Sequence, residues 1–163
     1  MARDLKSKGT EGASDIEAPS KPTFTREEYN DVAGAAELAQ IMLVSSNFEV
    51  KPEFWKAKKE DSDKIKHIYD WDILQYDYDQ KEGSAMSRII FVIHLKYGRK
   101  IVLDINCSYL IIYKGIPDKH PEAVEMFMKR IGRFAAYPYF RTHVSQLSWE
   151  SNTKLPILPT IRS

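Results

Sequence analysis

A single cysteine, Cys107, stands in a chain of 163 residues, which excludes an internal disulfide framework and a cysteine-rich zinc site. A reducing compartment fits that usage. Glycine is sparse as well, at 7, and the glycines never fall into the Walker or Rossmann spacing that cradles a phosphate. No uninterrupted apolar run approaches the roughly 20 residues of a bilayer span. The opening Met1-Ala2-Arg3-Asp4-Leu5-Lys6 lacks the apolar core of a secretory leader. The expectation is a soluble, cytoplasmic protein with no membrane insertion. An excess of one charge is also missing: 24 Lys and Arg against 23 Asp and Glu leave a formal net charge of +1, which gives no whole-chain attraction for nucleic acid or acidic substrates.

What is present is enough apolar residue, 43%, to build one real core. From residue 1 to 25 the chain is mainly Lys, Ser, Glu, Gly, Pro and Thr, too polar to offset the entropy of ordering it, and reads as a disordered tail. Residues 26–163 read as a single domain. Thr25 with Glu28 three positions on forms a capping box for a short helix from Arg26 to about Leu38. Four strands follow. Ile41 to Val50 is β-branched and apolar and stops at Lys51-Pro52. Lys64 to Tyr78 mixes aromatic, aliphatic and charged residues, as a long strand with one wet face does. Ser87 to Tyr97 and Lys100 to Tyr113 are joined by a tight turn at Gly98. Pro121 then opens a helix to about Glu150, with Val124, Phe127, Met128, Ile131, Phe134 and Ala135 as its apolar stripe and a proline bend at Tyr137-Pro138-Tyr139-Phe140-Arg141. The fold class is α+β: a four-stranded antiparallel sheet with a long, proline-kinked C-terminal helix on one face. Such a sheet leaves a face and two edges to cover, and self-association is the economical way to cover them.

The residues that carry chemistry are scattered. His67, His94, His120 and His143 lie on separate elements without metal-ligand spacing, so no metal is expected. Asp70 and Asp72, and Asp77 and Asp79, would each share a strand face, which suits a solvated surface better than a cation site. Ser145 or Ser148 near His143 lacks a strand-to-helix elbow and a matching acid, and Cys107 with His94 needs adjacent strands to align them. The chain is not expected to be an enzyme or to take a cofactor.

Apolar and aromatic surface is abundant instead. Phe54, Trp55 and Ile68, with Leu155, Ile157 and Leu158 after the long helix, are the residues expected to line a shallow groove for extended apolar segments of other chains. A small-molecule-binding or hydrolytic α+β domain using His94, Cys107 or Asp70 is the alternative, and a single-client adaptor is a third reading.

The aromatic-Pro-Tyr-x-Arg step at 137–141, followed by Leu155-Pro156-Ile157-Leu158 and Ile161, resembles the C-terminal region of SecB-type export chaperones. Ser46-Asn47-Phe48-Glu49 with Pro52 is similar to the family's first strand, Phe54-Trp55 to its aromatic crossover, and Asp104-Ile105-Asn106 through Ile111 to its fourth strand, closed by Gly115-Ile116. The resemblance covers roughly Gln40 to Ile161. It implies a dimer of dimers that binds unfolded or precursor polypeptides in hydrophobic grooves without ATP. In the family, acidic residues on the exposed sheet face dock the export motor SecA, and Glu49 and Asp104 match that surface. The chain ends at Ser163, so the second helix and acidic tail of the export-type proteins are expected to be missing, and the charge is near neutral. Those departures place it nearer divergent, solitary SecB-like chaperones, some of which protect an antitoxin, than the export chaperones themselves.

Overall fold

The computed structural model describes residues 23–119, 121–158 and 160. Nearly all of the expected tail, together with His120 and Ile161, lies outside them.

Helix α1 (Arg26–Ala35) begins at the expected capping box, with Thr25 Oγ1 accepting from the Glu28 amide at 3.2 Å and the Glu28 carboxylate accepting from the Thr25 amide at 2.7 Å. It ends three residues earlier than the alanine-rich sequence suggests. Strand β1 (Glu37–Val50) takes over there, because Leu38 pairs with Tyr113 and that ladder outweighs a weak helical preference. A helix not expected from the sequence, α2 (Pro52–Glu60), follows with proline in its first turn, Glu53 near its start and Lys58 and Lys59 near its end.

Strands β2 (Ile65–Asp79), β3 (Ser84–Tyr97) and β4 (Lys100–Lys114) complete an antiparallel sheet in the order β1-β4-β3-β2. Gly98, at φ 61°, makes the β3–β4 turn, and Gly83, at φ 57°, closes the β2–β3 turn. Gly83 also accepts the Ile116 amide at 2.9 Å, tying that turn to the chain leaving the sheet.

Alternation on β3 and β4 decides which face is dry. Ile89, Phe91, Ile93 and Leu95 of β3 and Ile105, Cys107, Tyr109 and Ile111 of β4 are buried, and the residues between them are only partly so, apart from Ser108, which is buried on the other face. Helix α3 (Pro121–Glu150) covers that face, stacking Phe140 on Phe91 with ring centroids 4.9 Å apart and setting Phe127 edge-on to Tyr113 at 5.0 Å.

The buried line on α3 is Val124, Met128, Gly132, Ala136, Phe140, Val144 and Ser148, four residues apart throughout. At 3.6 residues per turn that line spirals around the helix, so its two halves are covered by different neighbours. The expected stripe is right at Val124, Phe127 and Met128 and drifts out of register after them. Ile131 is exposed and Phe134 and Ala135 are half-buried, while Gly132 and Ala136 pass closest to the sheet. Pro138 does not interrupt the helix, which runs on both sides of it. It removes one backbone donor, and its ring crowds the carbonyl of Phe134 one turn back.

Candidate polypeptide-binding groove

The candidate site begins where α3 ends. Asn152 sits at φ 55°, and the amides of Asn152 and Thr153 donate to the carbonyls of Trp149 at 3.1 Å and Ser148 at 3.1 Å. These two bonds are a Schellman C-cap with asparagine in the left-handed position, which turns the chain sharply back on the helix. Ser148 Oγ, inside the last turn, accepts the Leu155 amide at 2.7 Å, and Lys58 Nζ reaches from α2 to the Thr153 carbonyl. Burial first, and then the neighbouring Lys154 charge, pushes the Lys58 ammonium below its ordinary pKa. The residues that follow form an extended strap, with Thr153 and Leu158 buried as its anchors.

Between the strap and the second half of α3 lies an open cavity of about 1120 Å³. Phe134, Tyr137 and Val144 contribute from the helix and Leu155, Ile157 and Leu158 from the strap. Trp149 and Ile157 stand on its rim 87% and 81% exposed, a large apolar surface for a chain in water. A smaller cavity of about 490 Å³ lies against β1, bordered by Leu43, Tyr139 and His143, and it shares Pro138, Thr142 and Gln146 with the first.

Of the six expected groove residues, the structure gathers only the three after the helix. Leu155, Ile157 and Leu158 line one cavity, although Leu158 is an anchor beneath it rather than an open contact. Phe54 is a correction: it is 2% exposed, packed edge-on against Trp55 and part of the core, because α2 turns its apolar side inward. Trp55 is exposed but borders neither cavity. Ile68 is a second correction. It pairs with His94, whose strand neighbours Ile93 and Leu95 are buried under α3, so Ile68 points from the opposite face of the sheet. A period-two element exchanges faces with every residue, and a sequence run that is apolar on both faces does not reveal which is which.

Glu49 and Asp104 are direct cross-strand partners on that open face. Asp104 accepts from the Asn106 side-chain amide at 2.7 Å, and its other oxygen lies 2.7 Å from His94 Nδ1. Two adjacent carboxylates repel, and the Asn106 amide offsets part of that. Further along the face, the Asp70 and Asp72 carboxylates each accept the amide of the next residue at 2.8 Å, on the edge strand β2.

The remaining candidate chemistry does not converge. Cys107 is buried under α3 while His94 and Asp70 lie on the open face, so the structure does not bring Cys107 together with the other two. Burial pushes the Cys107 thiol up, and the Ser46 hydroxyl lies 3.6 Å from its sulfur. His143 meets neither Ser145 nor Ser148; its Nε2 is 2.9 Å from Ser46 Oγ, a contact between β1 and α3 that no local spacing signals. Among the described residues no group of three or more His, Cys, Asp or Glu is placed to hold a metal ion, and no helix is long and apolar enough to cross a membrane.

The architecture, an antiparallel sheet with a long C-terminal helix on one face and an apolar strap returning from that helix, is a SecB-like α+β fold. It matches the solved SecB-like chaperone Rv1957 of Mycobacterium tuberculosis, in complex with a ChAD peptide from the HigA1 antitoxin, at a TM-score of 0.63 and 18% identity. The match covers 85% of this chain and 96% of that one. A protein of unknown function from Streptococcus agalactiae aligns at a TM-score of 0.30 and 10% identity over 78% of this chain and 97% of its own. No family model and no curated protein matches the sequence.

Proposed function

We propose that this protein is an ATP-independent holdase, which keeps a client polypeptide unaggregated by reversible burial of its apolar segments between α3 and the strap. The observation that carries this reading is the open apolar groove with Trp149 and Ile157 exposed on its rim, on a SecB-like fold. Burial at roughly 25 cal/mol per Å² makes few directional demands, and that suits many sequences bound loosely. The neighbour with this fold was solved with an antitoxin peptide, so an antitoxin-like client in the cytoplasm is the first to test, ahead of a precursor destined for export.

The working form in this proposal is a homo-oligomer, a dimer of dimers. Strand β1 is an open edge with Leu38, Met42, Leu43 and Val44 exposed. The other edge, β2, carries the Asp70 and Asp72 carboxylates hydrogen-bonded to its own amides, and charge of that kind discourages strand addition. The second copy therefore joins at β1. Glu49 and Asp104, side by side on the open face, are the proposed contact for a SecA-type motor if the chain serves export.

The test is suppression of aggregation of an unrelated unfolded protein without ATP, with mass by light scattering on the same sample. Clients held soluble at near-equimolar oligomer support the proposal. Binding to one chain and to none of a panel of unfolded proteins would replace it with a single-client adaptor, and no binding at any assembly state would end it.

A further inference from the structure

The groove between α3 and the strap is lined by charge of one sign. Among its 17 lining residues only Arg141 and Lys154 are charged, and both are positive. Neither takes part in any ion pair among the described residues. Lys58, bound to the Thr153 carbonyl next to Lys154, adds a third cation at the start of the strap. The Glu150 carboxylate at the end of α3 is outside the lining and accepts the Gln146 side-chain amide at 2.9 Å. The chain is close to neutral, with Glu49, Asp70, Asp72 and Asp104 on the far face of the sheet. The positive groove is therefore a local arrangement and not a consequence of a basic protein.

We propose that the groove selects extended apolar segments flanked by acidic side chains, which Arg141 on α3 and Lys154 at the start of the strap receive. This rests on reading the groove as a polypeptide site and adds the class of segment it takes. Apolar burial against Phe134, Tyr137, Trp149 and Ile157 holds the segment, and the two cations set its sign and register. Charge at a groove rim acts more on selectivity than on raw affinity, and salt screens it beyond about 10 Å at 0.1 M.

The experiment uses the full chain and three synthetic peptides, acetylated and amidated so that no terminal charge contributes. They share one apolar core and carry Asp and Glu, Asn and Gln, or Lys in the flanks, and binding is read by fluorescence anisotropy at low and high salt. The acidic peptide is expected to bind about three- to tenfold more tightly than the neutral one at low salt, with the lysine peptide weakest and the spread collapsing at about 0.5 M salt. Arg141→Gln and Lys154→Asn are expected to bring the acidic-to-neutral ratio toward one, and Arg141→Glu to invert the order. Asparagine is chosen at 154 because it tolerates the left-handed backbone there, at φ 49°. If the neutral peptide binds as tightly as the acidic one and Trp149→Ala weakens both, the charge selection is wrong and the groove stands. If none of the three binds, the groove reading falls and the selection with it.

Discussion

Ser148→Ala removes one oxygen and tests whether the strap is held by the bond assigned to it. Ser148 is buried in the last turn of α3, and its Oγ accepts the Leu155 amide at 2.7 Å. Leaving a shielded amide without a partner costs about 1–2 kcal/mol. Alanine returns about 0.5 kcal/mol of helix preference over serine in the same turn. The net effect on global stability is then about 0.5–1.5 kcal/mol, easily confused with an ordinary surface substitution. Local opening separates the two. The bond closes the strap and not the helix, so amide exchange at Leu155 is expected to accelerate by about tenfold, the equivalent of 1.4 kcal/mol. The Thr153 amide, which donates to the Ser148 backbone, should change little. Residue-resolved hydrogen exchange by NMR makes the measurement, with binding of an apolar peptide measured on the same variant and expected to weaken as the strap loosens. If the Leu155 amide keeps its native protection while the urea midpoint falls, the strap is anchored elsewhere, at Leu158 or Lys58, and Ser148 is merely a helix residue.

Other perturbations probe the frame around the groove. An added Cβ at Gly83 meets the Ile116 carbonyl at 2.7 Å, whereas at Gly98 it meets nothing within 4 Å, and both glycines have positive φ. Gly98→Ala should therefore cost only the backbone penalty of about 1–2 kcal/mol, and Gly83→Ala distinctly more, in paired urea denaturations; equal costs would show that the Ile116 contact is easily relieved. The Cys107 thiol is fully buried and its pKa is raised, so a thiol reagent at pH 8 should modify it only as fast as the protein unfolds, and rapid labelling of the native chain would contradict its placement. Hydrogen bonds from Lys64 and Tyr97 hold the Asp61 carboxyl below its ordinary pKa. A lowered folded pKa gives stability that is present above the unfolded value, about 4, and lost as the pH falls through the folded one. Asp61→Asn should accordingly flatten the loss of stability below about pH 4, and an unchanged acid limb would remove Asp61 from the explanation.

The sheet was legible because its cues are local. Gly98 marks one hairpin and Pro52 stops one strand, whereas the dry face of β3 was not marked, because Ile90 and Val92 are as apolar as the buried Ile89, Phe91, Ile93 and Leu95. The start of β1 was not legible, since Ala35 and Ala36 favour helix and only the distant partner Tyr113 makes Leu38 a strand residue. Helix α2 was hidden in nine residues with two aromatics that suit an irregular crossover as well. At the site, the apolar composition of 155–158 pointed to the right segment, and Asn152 with Thr153 was the available signal for its reversal. Which aromatics join it depends on tertiary packing. Phe54 and Trp55 are adjacent in sequence, and yet one is core and the other surface, because successive helical side chains differ by about 100°. The contact of His143 with Ser46, 97 residues apart, is of the same kind.

The size of the groove bears on why assembly should accompany it. Full burial of Trp149 and Ile157 by a client supplies roughly 1.5–3 kcal/mol each. Their sum, about 3–6 kcal/mol, is comparable to the low end of the 4–15 kcal/mol that association costs in lost freedom before any ordering of the client is counted. The half-buried walls and the two cations add to this, but a lone groove still holds an extended segment weakly. Linking several such grooves makes each later binding step intramolecular, and avidity then rises by about 10²–10⁴ without any new contact. A client long enough to reach two grooves would be retained, while a short peptide exchanges freely. In the proposed assembly the exposed β1 edge and the strap therefore belong to one design: the strap supplies a groove of modest strength, and recruitment of a second copy at β1 would multiply it.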